Sequence, residues 1–119
     1  MYGAEDVKWL SRIIYAEAGG ESFDGMLAVG NVVMNRLRSE YYPDTVHGVI
    51  FDRRSGVQFT PAYSGAINNT PSEACVKAAK LALDGAEIVG GSLYFASASC
   101  WASRHRELYK TIGAHDFYL

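Results

Sequence analysis

Apolar residues recur three and four places apart early in the chain, at Val7, Leu10 and Ile14, and the next position on that stripe is Glu17. The spacing predicts an amphipathic helix over residues 4 to 18, with Trp9, Leu10, Ile13 and Ile14 on its apolar side. Gly19-Gly20 then stops it. Ser22 as N-cap and Asp24 in the first turn open a second helix, running to about Ser39 with Met26, Val29, Val33 and Leu37 on one face. Tyr41-Tyr42-Pro43-Asp44 reads as a turn, after which Asp44 or Thr45 caps a short helix through Val46, Val49 and Ile50. Residues 52 to 70 lose the period. A segment of that length without regular structure is expected to be functional, as the wall of a cleft. Thr70 as N-cap, Pro71 at the first position and Glu73 as the third residue of a capping box predict a further helix ending near Asp84-Gly85. After Gly90-Gly91 the pattern becomes strand-like. Residues 93–96 form a short strand, and 109–112 and 115–118 form a hairpin joined at Gly113-Ala114. Helices first and strands last predict an α+β fold with a small antiparallel sheet beside the helices.

Glu17 stands out because a carboxylate continuing an apolar stripe is costly unless it is paired or lines a cleft. Desolvation would raise its pKa and keep it protonated near neutral pH, ready to donate a proton to a glycosidic oxygen. The plainer alternative is a half-exposed Glu at a helix end, paired with Arg12 or Arg36. Glu21 sits just before the second helix, where the positive end of the helix dipole favours the ionised form. Of the two carboxylates, Glu17 is therefore the candidate acid. Glu21 is either a helix-start residue or part of the cleft edge.

Composition narrows the picture. The 119 residues fit one domain spanning 1–119, and the 49% apolar and 20% charged fractions are ordinary for a globular chain. The formal net charge of −2 leaves no electrostatic footprint for nucleic acid. No apolar run approaches membrane-spanning length, and the N-terminus lacks the pattern of a signal peptide. Eight tyrosines lead an aromatic content of 13%, which suits a sugar-binding cleft or a small core. Cys75 shares a small-residue face with Ala78, Ala79 and Ala82. It is expected as a buried free thiol, with a Cys75–Cys100 disulfide as the alternative. His47, His105 and His115 are scattered and the cysteines lack zinc spacing, so no metal or other cofactor is expected. No nucleophile elbow or phosphate loop is present. What remains is one general acid/base carboxylate over a polar, aromatic-lined groove.

Tyr15-Ala16-Glu17-Ala18-Gly19-Gly20-Glu21, followed by Gly25, Ala28-Val29 and Asn35-Arg36, resembles the opening of the cell wall hydrolase family typified by the spore cortex-lytic enzymes. The resemblance continues in order through Pro43, Val49-Ile50, Gln58-Phe59-Thr60-Pro61, Thr70-Pro71, Gly91 with Leu93-Tyr94-Phe95, and Ile112-Gly113-x-His115-x-Phe117. The family usually reads A-E-A-R-G-E-P in the first stretch. Here the arginine is missing and Ser22 stands where proline is usual, and Cys100-Trp101 lies where members vary.

The resemblance implies a compact lysozyme-like domain that cleaves peptidoglycan between N-acetylmuramic acid and N-acetylglucosamine, with Glu17 as the catalytic Glu. It implies a monomer acting on glycan strands, outside the cell or in its envelope. A muramidase-type hydrolase normally needs a second carboxylate, whereas a lytic transglycosylase uses one. No obvious second carboxylate stands out, although Asp52 and Asp116 are possible, so the transglycosylase is favoured. A non-catalytic glycan-binding module and an amidase acting on the stem peptide are the other readings. Among supporting residues, Gln58 either bonds an N-acetyl group or ties down its own loop. Phe59, Tyr63 and Tyr94 either line subsites or fill the core. Trp101 stacks on substrate or anchors a loop, and His115 bonds substrate or holds the hairpin.

Overall fold

The structure is a computed structural model and describes residues 2–97 and 106–119. Helix α1 (Ala4–Ala18) starts at Gly3, whose N–H donates to the Asp6 carboxylate at 3.0 Å. It ends where Gly19 still donates to Tyr15 O and Glu21 N–H reaches back to Ala18 O. Helix α2 (Phe23–Leu37) is capped by the Ser22 hydroxyl, which accepts from Gly25 N–H at 3.2 Å, as the sequence predicts. For α3 (Val46–Ile50) the cap is Thr45 rather than Asp44, and its Oγ1 accepts from Gly48 N–H at 2.9 Å.

Two expectations need correction. Residues 52 to 70 are not wholly irregular: they contain a one-turn helix, α4 (Pro61–Ser64), and a 3-10 turn (Ala66–Asn68). Pro61 presets the first helical φ, and Gly65, at φ +92°, ends the turn in a conformation that L side chains resist. Helix α5 (Glu73–Leu83) is capped by Ser72, not Thr70. The Ser72 hydroxyl accepts from Cys75 N–H at 3.3 Å. Pro71 therefore precedes the cap instead of opening the helix, and Glu73 is the first helical residue. Ser72 lies three residues before a free N–H in extended backbone, which is the geometry a cap needs.

Helix α1 packs on α2, α3 and α5, and α2 on α5, around a core in which Leu10, Ile14, Val29, Val33, Ala78 and Ala82 are buried. Cys75 is a free buried thiol with its Sγ 3.8 Å from Met26 Sδ. Strands β1 (Tyr94–Ser97), β2 (Leu108–Ile112) and β3 (His115–Tyr118) form an antiparallel sheet in the order β1-β3-β2, with β3 central. Phe117 on β3 is fully buried in the same core as the helices.

The segment between α5 and β1 is tied to α2 by two amides. Asn31 donates to Ala86 O at 2.7 Å and accepts from Ile88 N–H at 3.0 Å. Asn35 donates to Gly90 O and Ser92 O, both at 2.9 Å. Together these place β1 beside the C-terminal end of α2. The result is the expected α+β order, helices first and a three-stranded sheet last. No helix among the described residues is long and apolar enough to cross a membrane.

Candidate active site

Glu17 sits in the last turn of α1, one residue before the helix gives way to Gly19-Gly20. It opens onto a cleft of about 1040 Å³ lined by Arg36 at the end of α2, the 52–60 segment, β1 and the start of β3. Burial pushes its carboxyl pKa above the ordinary value of 4.5. The carbonyl end of a helix also disfavours a negative charge. Among the described residues no hydrogen bond or ion pair holds the Glu17 carboxyl. Neither arginine considered as its partner takes that role: Arg12 lies over the Trp9 ring, and Arg36 is engaged elsewhere. A carboxyl biased toward its protonated form and facing a cleft is suited to donate a proton.

Four other sequence candidates line the same cleft: Gln58, Phe59, Tyr94 and His115. Gln58 is held at both ends, accepting from Arg36 Nη1 at 3.2 Å and donating to Gly56 O at 2.9 Å. Phe59 is buried, with its ring against Phe95. The Tyr94 hydroxyl accepts from Tyr42 at 3.1 Å. The His115 ring packs edge-on against Phe95 at 5.3 Å, and its buried Nδ1 has no hydrogen-bond partner.

The remaining candidates lie elsewhere. Glu21 is not in the cleft lining; its Oε1 accepts from Ala114 N–H at 3.0 Å and pins the tip of the β2–β3 hairpin to the start of α2. Trp101 lies outside the described residues. Tyr63 packs against Phe51 and donates to its carbonyl, away from the lining.

The two possible second carboxylates separate. Asp116 accepts from the Thr111 hydroxyl at 2.6 Å within the sheet and does not line the cleft. Asp52 does line it, in an ion pair with Arg54 at 2.9 Å that holds its pKa below the ordinary carboxylate value. The cleft thus contains one carboxyl biased toward the acid and one biased toward the anion.

Arg36, Tyr42, Arg54 and Arg106 also line the cleft. Arg36 carries a mark that the sequence displays. It lies seven places after Val29 on the apolar stripe of α2, just as Glu17 lies seven after Leu10 on α1. Its side chain is only 5% exposed, and its Nε donates to Leu93 O at 2.8 Å. Tyr42 and Arg106 come from irregular segments, and no periodicity points to them. Among the described residues no cluster of three His, Cys, Asp or Glu side chains is arranged to hold a metal.

Comparison with known proteins places this geometry in context. A family model described as Cell Wall Hydrolase matches residues 20–118. The spore cortex-lytic enzyme of Bacillus cereus is 35% identical over 98% of this chain, and that of Bacillus subtilis is 32% identical over the same share. The chain spans 45% and 38% of those two proteins, less than half of each. The catalytic domain of the germination-specific lytic transglycosylase SleB from Bacillus anthracis superposes with a TM-score of 0.87 at 35% identity, over 99% of this chain and 97% of that one. The catalytic domain of Bacillus cereus SleB matches equally well, at TM-score 0.87 and 34% identity.

Proposed function

The chain belongs to the cell wall hydrolase family, and from that premise we propose that residues 1–119 are a single catalytic domain that cleaves peptidoglycan as a lytic transglycosylase, with Glu17 as its one general acid and base. The observation that carries this reading is the state of Glu17: a carboxyl biased toward the proton by burial, with no hydrogen bond or ion pair to the described residues, on a cleft of about 1040 Å³. The homology to SleB supplies the reaction class.

In this mechanism Glu17 donates its proton to the oxygen linking C1 of N-acetylmuramic acid to C4 of N-acetylglucosamine. The C1–O bond breaks as an oxocarbenium-like state develops, and the N-acetylglucosamine hydroxyl leaves neutral. The Glu17 carboxylate then accepts the proton of the muramic 6-hydroxyl, whose oxygen closes on C1. A 1,6-anhydro ring forms and Glu17 is protonated again, so one group suffices and no water is consumed. Gln58, Phe59, Tyr94 and His115 act as substrate-binding residues. The protein works as a monomer on glycan strands in the cell envelope, without a cofactor.

Asp52 favours a second reading. An ionised carboxylate on the same cleft is what a hydrolase would use to activate water or stabilise the oxocarbenium. Mass spectrometry of digested peptidoglycan separates the two. The transglycosylase releases 1,6-anhydromuramic ends, and Glu17→Gln releases none. Reducing muramic ends, lost in Asp52→Asn, would establish hydrolysis instead. Intact glycan with freed peptide would point to an amidase. Full activity in Glu17→Gln would remove Glu17 from the mechanism.

A further inference from the structure

The cleft has a charge its catalytic chemistry does not call for. Three guanidiniums line it, from Arg36, Arg54 and Arg106, against the carboxyls of Glu17 and Asp52. Asp52 is taken up by Arg54, and burial biases Glu17 toward its neutral form. Arg36 and Arg106 are left without an ion pair among the described residues. The residues not described, Met1 and 98–105, contain no Asp or Glu to supply one. Both guanidiniums lie over the Tyr94 ring, Arg106 at 3.5 Å from its centroid and Arg36 at 5.3 Å. Arg36 is further enclosed by Tyr42 and Phe59, and burial lowers its pKa, with the charge of Arg106 acting in the same direction and Tyr42, Tyr94 and Asp52 offsetting part of it.

Gathering two like charges on one aromatic ring, one of them buried, is unfavourable without an anion to offset them. The protein's hydrogen bonds explain part of Arg36, which anchors Leu93 and Gln58. They do not explain Arg106, which is exposed and makes no hydrogen bond to the described residues. A planar guanidinium stacked on a ring keeps its N–H edges free for a carboxylate.

We propose that Arg106 and Arg36 form a carboxylate-reading subsite on the Tyr94 wall of the cleft, which selects glycan carrying an acidic substituent over neutral glycan. This rests on the peptidoglycan reading of the same cleft. In that substrate the carboxylate is either a carboxyl of the attached peptide or the lactyl acid of a muramic residue that carries no peptide, since the peptide's amide bond otherwise consumes it. The chemistry is shared, and the two sources are separable by experiment.

The test is co-sedimentation with insoluble peptidoglycan, which reads affinity whether or not turnover occurs. Native material is compared with material whose carboxyls have been converted to amides, and with peptide-stripped glycan, in which hydrolysis of the amide frees the lactyl acid. Binding of the unaltered protein to amidated peptidoglycan should weaken about tenfold, the scale of one charge-assisted hydrogen bond lost. Arg106→Gln, an exposed change, should weaken binding to native material by about the same factor and add nothing on amidated material. Arg106→Lys should restore part of the loss, and salt should weaken the unaltered protein more than Arg106→Gln. Retained affinity for peptide-stripped glycan identifies the lactyl acid, and lost affinity identifies the peptide. Indifference of the unaltered protein to amidation, or of native binding to Arg106→Gln, overturns the subsite. Failure of the enzyme reading shows separately, as glycan left uncleaved or cleaved equally by Glu17→Gln.

Discussion

Glu17 and Arg36 are the two residues at which the apolar stripes of their helices are interrupted by charge, and both line the cleft. For Glu17 the interruption has a thermodynamic signature. An unfolded chain ionises this carboxyl above its ordinary value of 4.5, while burial makes the folded chain hold the proton longer. The folded state therefore binds more protons in the window above 4.5, and stability falls as pH rises through it. Glu17→Gln removes that penalty. Its Tm should exceed that of the unaltered protein near neutrality, with the difference vanishing below pH 4.5; an unchanged Tm at neutral pH would mean the carboxyl is solvated. Glu17 is legible in the sequence because a carboxylate on a core stripe has few cheap explanations. The mark on Arg36 is as visible, but spacing does not distinguish a partner for Glu17 from a residue of the opposite wall. That difference is tertiary, since Arg36 turns away to Leu93 and Gln58. The placement of Glu21 at the hairpin tip is equally invisible to local pattern, because its partner Ala114 is 93 residues away.

Among the elements, helix starts and the closing hairpin are well predicted where a single residue has the right chemistry, as at Ser22 and Gly113, which sits at φ +59°. Prediction fails where two residues compete. Thr70 and Ser72 both offer a capping hydroxyl, and only the folded backbone selects Ser72. The turns inside 52–70 escape notice because α4 and the 3-10 turn are too short to show a period. The loop from α5 to β1 has no pattern of its own and is held from outside by Asn31 and Asn35. Asn31 is buried, and its amide satisfies Ala86 O and Ile88 N–H together. Asn31→Ala strands both groups and should cost about 2 kcal/mol in chemical denaturation. A cost near zero would mean that water replaces the amide without loss.

At the scale of the whole molecule, helices and sheet share one core. Phe117 on β3 is buried against it, and Arg36 and Asn35 of α2 hold the start of β1. The two halves should therefore unfold together. Phe117→Ala should cost about 3 to 5 kcal/mol. Helical circular dichroism and tyrosine fluorescence should still report one coincident transition; separated transitions would show that the sheet melts alone. The strand order also bears on biosynthesis. β3 is the last element in the chain order, yet it is the central strand, and the neighbours β1 and β2 meet only through it. As the chain leaves the ribosome, β1 and β2 emerge with no strand to pair with. His115 arrives with the final element, so the cleft closes only after everything before it has been translated. By this topology the cleft is incomplete until β3 has left the ribosome.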